Sequence, residues 1–344
     1  MPTRAFAFAI AAALVASACG GQAAAPNTGA PSVAPATATP RPSPVKLVIS
    51  YSNPIADFLP LWIAADDGTF AANGIEAEFQ AIASAQGVAA LVAGQTQVAA
   101  IGGSEILSAA AGGADLAVLA NLVPVYPHLF EAAPDIKTAD DLKGKRVGVS
   151  SIGSSSDIAT RVLLRRIGID PDKDVTIVAV GSTDTRTAAL LSGAIQAAVT
   201  LVPDTLLVED KGFKPLYDLG ALKLPASQTV IAVTRSFLGS RRDVAQRVID
   251  SVVTGTAHLR RDRALAIATL KKWLKSNDDR AMAAAYDKYA LPVIPVLPFP
   301  TVEQFKDSQN ALGAKNAQVL SYELSKLLEP ALVQSAADRG ADKK

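Results

Sequence analysis

Three consecutive serines, Ser154, Ser155 and Ser156, stand directly before Asp157 in the segment GKRVGVSSIGSSSD, residues 144–157. Ahead of them Lys145–Val149 alternates as a short strand. From Asp157 apolar residues recur at helical spacing through Ile158, Val162 and Leu163, stopping at Gly168. The pattern reads as strand, Gly/Ser turn and helix, and the first N–H groups of such a helix have no partner within it. Those groups and the positive end of the helix dipole face one point, which suits a carboxylate, sulfonate, phosphate or nitro oxygen. Many α/β proteins cap helices with serine for structural reasons alone, so the motif gains meaning only from the elements around it.

The chain has 344 residues, enough for two domains with cores. Its 33 basic and 32 acidic residues nearly cancel, and no basic face emerges, so nucleic acid is not an expected partner. Residues 1–18 read as a signal peptide: Arg4 supplies the positive start, Ala5–Val15 the apolar stretch, and Ala16-Ser17-Ala18 the small residues of a cleavage site. Cys19 follows at once and is the one cysteine in the chain. Val15–Cys19 resembles a bacterial lipoprotein signal, with Cys19 as the acylated residue, although Ala16 stands where leucine or valine is usual. Gly20–Pro44, with prolines at 26, 31, 35, 40, 42 and 44, buries nothing and reads as an extended tether. Together, 19–44 form a lipidated cysteine and linker.

The folded body begins at Val45. Val45–Tyr51, Glu76–Ala83, Gln97–Ile101 and Asp115–Val123 read as strands that alternate with helices, which implies a mostly parallel sheet covered on both faces. Pro124–Pro134 breaks the rhythm. A second α/β series then runs from Lys145 to Tyr217, and Gln228–Thr234 is extended again. From Arg242 onward helices are expected over 242–262, 263–276, 278–290, 301–313 and 317–328. Two series joined by extended crossings near 126–133 and 226–233 predict two lobes on a hinge: 45–130 plus 232–344, and 131–231. That is the plan of a clamp that closes on a ligand.

Leu61–Gly74 (LWIAADDGTFAANG), Gly87–Gly94, Ile136–Val149 (IKTADDLKGKRVGV) and Thr187–Val199 resemble the nitrate/sulfonate/taurine-type substrate-binding proteins of ABC importers, the NMT1/THI5-like family. The likeness spans roughly 45–330. It implies a type II periplasmic-binding-protein fold, α/β, with mostly parallel sheets in two lobes joined by a two-strand hinge. It further implies a monomer that delivers a small-molecule ligand to ABC permease and ATPase subunits, held outside the cytoplasm on the membrane by its anchor.

In this family loops at the carboxyl ends of the strands line the cleft, as open α/β sheets generally arrange it. Carried onto this chain, the loops are Ser52-Asn53 with Phe58 on the next helix, Ser84 with Gln86, and Gly103-Ser104-Glu105. The second lobe gives Gly153, Ser154, Ser155, Ser156 and Asp157, then Arg186, then Asp204. Asp157 either satisfies its own helix N-terminus or faces the cleft; in the second case it and Glu105 disfavour a bare anion. Arg186 has the planar fork for a carboxylate or sulfonate. Phe58, Trp62 and Tyr126 have rings to stack on a ligand, although Trp62 falls in a helical stripe and reads as core. His128 and His258 lie far apart, and Cys19 precedes the fold, so neither a metal site nor a cofactor is expected.

The expected function is therefore capture of a small organic solute, with sulfonates, carboxylates and zwitterions ahead of nitrogen heterocycles, and nitrate last. The alternatives are a THI5-like enzyme making a pyrimidine precursor, or a lipid-anchored chemosensory binding protein. Enzymes of the former group use a cysteine-rich motif that this chain lacks, so no catalytic residue is assigned.

Overall fold

The computed structural model describes residues 44–344; the leader, Cys19 and the tether through residue 43 lie outside the described residues. Ten strands follow one another in the described chain. They are β1 (Val45–Tyr51), β2 (Ile75–Ala81), β3 (Val98–Ile101), β4 (Leu116–Val125), β5 (Leu129–Ala132), β6 (Arg146–Val149), β7 (Thr176–Ala179), β8 (Ala197–Thr200), β9 (Lys214–Asp218) and β10 (Pro225–Thr234). They form two five-stranded sheets ordered β2-β1-β3-β10-β4 and β7-β6-β8-β5-β9. In each sheet four strands are parallel and the fourth in order runs against them. That odd strand is the one the chain has just carried over from the other sheet. This mixed, mostly parallel α/β architecture is the periplasmic-binding-protein plan expected from the sequence.

The connecting residues are shorter than the two extended stretches suggest. Only 126–128 and 219–224 lie between sheets, because 129–132 and 225–234 pair into β5 and β10. Strands buried on both faces need small or apolar side chains throughout. β3 (VAAI) and β8 (AAVT) meet that need with alanine, and all of their residues are buried.

The helix Leu59–Asp66 (LPLWIAAD) is apolar all round, and its first six residues are buried, as such a helix must be when covered on every side. It packs against the helices Arg242–Arg261 and Arg263–Leu274. Trp62 stacks on Trp273 at 5.3 Å with the rings 6° apart. Phe58, proposed above for ligand stacking, is instead wholly buried beside Tyr51 and Trp62, with centroids 5.5 and 5.9 Å away. Burying that ring in an aromatic cluster removes it from any ligand. Gly255 is where the helix Arg242–Arg261 meets Leu59–Asp66, and a Cβ there would fall 2.3 Å from the Pro60 carbonyl oxygen and 3.1 Å from Ala64 Cβ. Backbone cannot step aside cheaply, so Gly255→Ala should destabilise the fold by about 2 kcal/mol. Urea melts of the two proteins measure this.

The tail departs from expectation at its end. In place of one helix over 317–328 there are two short turns, Ala317–Leu320 and Leu324–Leu327, and a further helix Ala331–Asp338 follows. Between them the chain is drawn out straight, because Leu328 bridges Val118 and the Glu329 N–H donates to the Val118 carbonyl at 2.9 Å. This contact covers the open edge of β4. No helix among the described residues is long and apolar enough to cross a membrane.

Candidate functional site

The carboxyl ends of the parallel strands in both sheets converge. β1 leads into Ser52-Asn53, β3 into Gly102, β6 into the serine turn, and β7 into the helix Thr183–Leu191. Between these loops lies a polar cavity of about 40 Å³, with His128 from the first crossing and Gln228 and Thr229 of β10 completing its wall. It shares Asn53, Ile55, Thr183 and Leu201 with a recess of about 520 Å³, whose lining adds Leu206, Leu207, Leu274 and Met282. Asp210 and Arg280 also line that recess and are joined by an ion pair at 3.1 Å. The site is thus a small polar floor next to a larger, partly apolar chamber.

The serine turn is tightly wired. Ser154 caps the helix Ser155–Arg166: its Oγ accepts from the Asp157 N–H at 3.4 Å and donates to the Ser151 carbonyl at 2.7 Å. Ser156 Oγ accepts from the Ser150 N–H at 2.9 Å. Ser155 Oγ crosses to the other half and donates to the Gln228 carbonyl at 3.1 Å. Asp157 takes the structural alternative, since its carboxylate accepts from the Gly153 N–H at 2.8 Å and pairs with Arg161 Nε at 2.8 Å.

Arg186 is the dominant charge at the floor. Its side chain is 1% exposed, and the guanidinium donates to the Val199 carbonyl (2.9 Å), Ser150 Oγ (2.7 Å) and Thr183 Oγ1 (3.4 Å). Among the described residues no carboxylate comes within ion-pair distance of it. Burial lowers its pKa to about 10, opposed by Asp204 and Asp184, so it stays charged at neutral pH. Gly148 makes room for Ile195 beneath the stem: a Cβ there would sit 2.3 Å from Ile195 Cδ1, and at an ordinary 3.5 Å from Arg186 Cγ. His128 is held neutral, its pKa lowered to about 3 by burial and then by Arg186. Burial raises Asp204 to about 6 despite the pull of Arg186. Glu105 is also raised by burial, against hydrogen bonds from Ser104 and Ser84.

Behind the floor Asp57 is fully buried. Its carboxylate accepts from Thr229 Oγ1 at 2.5 Å and from the Tyr289 hydroxyl, with the Gln228 side chain nearby. Tyr289 reaches it from a π-helical turn over Ala285–Ala290. Two hydroxyl donors on one carboxylate fix Thr229 in the wall.

Of the residues singled out from sequence, Ser52, Asn53, Ser84, Glu105, Ser155, Ser156 and Arg186 line the cavity. Asp204 lines the larger recess. Gln86 is exposed on its helix, and Gly153, at φ +83, shapes the turn. Gly103 permits close approach to β10, where a Cβ would meet Ser227 Cβ at 2.3 Å. Ser104 donates to Glu105 Oε2 at 2.7 Å. Besides Phe58, then, Gln86, Gly103, Ser104, Gly153, Ser154 and Asp157 do not reach the cavity wall; their partners lie in the turns and helices themselves. Thr183 falls within the 182–186 loop expected at the cleft, whereas sequence reasoning passed over Ser150, Gln228 and Thr229. The last two open an apolar run (QTVIAVT) and read simply as the start of a strand.

Residues 55–263, more than half of the chain, match the family described as NMT1/THI5 like. The chain belongs to that family. It is 26% identical over 235 residues to the riboflavin-binding protein RibY of Chloroflexus aurantiacus, and the match covers 66% of each chain, just under two thirds of that relative's length. Among solved structures it is similar to the alkanesulfonate-binding protein SsuA from Xanthomonas axonopodis pv. citri bound to MOPS. That likeness has a TM-score of 0.66 and 22% identity, covering 86% of this chain and 98% of that one. The periplasmic aliphatic sulphonate binding protein SsuA from Escherichia coli gives 0.65 and 22%, covering 84% and 93%. These likenesses show the fold.

Proposed function

We propose that this NMT1/THI5-like protein is the solute-binding component of an ABC importer and does no chemistry on what it binds. Its ligand is a small organic molecule whose polar head carries acceptor oxygens. The observation that carries this reading is Arg186, a buried guanidinium facing the meeting point of two sheets without a carboxylate partner. A buried charge in such surroundings is stabilised when an acceptor arrives with its own hydrogen bonds. The adjoining 520 Å³ recess has room for the body of the molecule.

The floor holds only about 40 Å³ with the halves in contact through Ser155 and Gln228, so a ligand enters when they part. One moving body carries the sheet of β1–β4 and β10 and the other the sheet of β5–β9, so the halves divide at 126–128 and 219–224 rather than at 130/131 and 231/232, and they bend at those two crossings. The leader and Cys19 support an extracytoplasmic, membrane-tethered position beside the permease. The match to a riboflavin-binding protein favours a second ligand class, nitrogen heterocycles.

A thermal-shift screen with taurine, alkanesulfonates, benzoates, aminopyrimidines, riboflavin and nitrate tests the reading. At least one organic compound should raise the melting temperature and, in small-angle scattering, compact the protein. Failure of every compound, or tight binding with no change in shape, overturns it.

A further inference from the structure

Two polar atoms at the floor are satisfied by nothing in the protein. Gln228 Oε1 and His128 Nδ1 are buried without a hydrogen-bond partner, on side chains 7% and 1% exposed. The Asp57 carboxylate lies behind Gln228 and favours the donor end of that amide on its own side. The carbonyl end is therefore a stranded acceptor. Thr229 donates backward to Asp57, so its remaining capacity is likewise to accept.

Arg186 is the complement. Five N–H groups leave a guanidinium, and three are engaged by Val199, Ser150 and Thr183. Two donors remain for a ligand. One small space thus sets free donors and a stranded acceptor side by side. A sulfonate or carboxylate head satisfies Arg186 but brings only more acceptors to Gln228 Oε1. An ammonium group wants an ionised carboxylate; Asp57 lies behind the wall bonded to Thr229 and Tyr289, and Glu105 in the wall disfavours charge through its burial and already accepts from Ser104. What fits both sides is a head that accepts and donates through adjacent atoms while remaining uncharged. The apolar residues of the neighbouring recess, Ile55, Leu201, Leu206 and Met282, suit a flat ring attached to it.

We propose that the floor reads a neutral C(=O)–N–H edge, as presented by a cyclic imide, ureide or lactam, with the carbonyl on Arg186 and the N–H donated to Gln228 Oε1. The inference rests on the solute-binding reading above and names its ligand class. Gln228 is then the specificity residue, and it is also the point where the second half closes, since Ser155 Oγ bonds its backbone carbonyl.

Titration calorimetry on the full chain tests this with lumichrome, uracil, lumichrome methylated on its imide nitrogen, taurine and propanesulfonate. Lumichrome should bind, and methylation should weaken it about 30-fold, the scale of one lost hydrogen bond with its acceptor left stranded. Gln228→Met should weaken lumichrome by a similar factor and leave the methylated compound within about threefold, so that discrimination collapses. A purely structural role would weaken both alike and would overturn the proposal. Should that variant fail to fold, the comparison of parent and methylated compound on the natural protein decides alone, and equal affinities overturn it. Binding of taurine or propanesulfonate with lumichrome and uracil inert also overturns it, while leaving solute binding intact. Silence of all five together with the whole screening panel overturns the solute-binding reading itself.

Discussion

Arg186→Met should lower the affinity for the bound solute about 100-fold, the combined scale of two charge-assisted hydrogen bonds lost from a buried site. Methionine keeps much of the volume of the stem, and near-ultraviolet circular dichroism should report an intact fold. Arg186→Lys is the sharper comparison. A lysine retains the charge but has a single ammonium, so it cannot hold Val199 and Ser150 while presenting two parallel donors to a ligand. It should recover less than about a tenth of the lost affinity. Calorimetry with the tightest binder of the screening panel checks both. Affinity within about threefold of the natural protein for either variant would mean that the guanidinium serves β8 and the β6 turn and not the ligand.

The architecture was legible because it rests on periodicity. Strands such as VKLVISY and QTVIAVT, separated by Gly-ended helices, dictate parallel layers, and the two breaks at proline-rich or extended segments mark where the chain changes sheet. The loops at strand ends followed from the same logic, which is why Ser52, Asn53, Glu105, Ser155 and Arg186 come together. The rest depends on contacts between residues far apart in the chain, which periodicity does not encode. Asp57 and Tyr289 lie 232 positions apart, and their bond holds the carboxylate to which Thr229 of the wall donates. Phe58 sits at a strand-end loop like the true lining residues, yet Tyr51 and Trp62 draw it into the core. Arg186 was legible as a cleft candidate within TDTRTAALL, but not its depth, which comes from its bonds to Val199 on β8 and to Ser150 thirty-six positions earlier. Asp157 shows the reverse: its place in the first helical turn was visible, but Arg161 four residues on is what closes it to ligand.

Glu131→Gln should stabilise the protein, and the gain should depend on pH. The side chain of Glu131 is fully buried on β5, and neither carboxyl oxygen has a partner. Burial, then the nearby Glu209, raises its pKa from 4.5 to about 7. Below pH 4.5 the folded and unfolded chains both hold the proton and no penalty arises. Between that value and about 7 the unfolded chain has released it while the fold retains it, so stability falls as pH rises and levels off above. A gap of this width corresponds to about 3 kcal/mol, an upper scale for a site that can relax. His128 acts in the other direction: neutral in the fold down to about pH 3, it costs stability as pH drops below its ordinary 6.5. Asp204 falls in the same class as Glu131, but both it and His128 are common to the two proteins and cancel in their difference. Urea melts at about pH 4.5, 6 and 8 should therefore show the variant level with the natural protein at the acid end and ahead by up to about 3 kcal/mol at the alkaline end. A difference that stays constant across the three would mean that the Glu131 carboxyl finds a partner on folding and carries no buried proton.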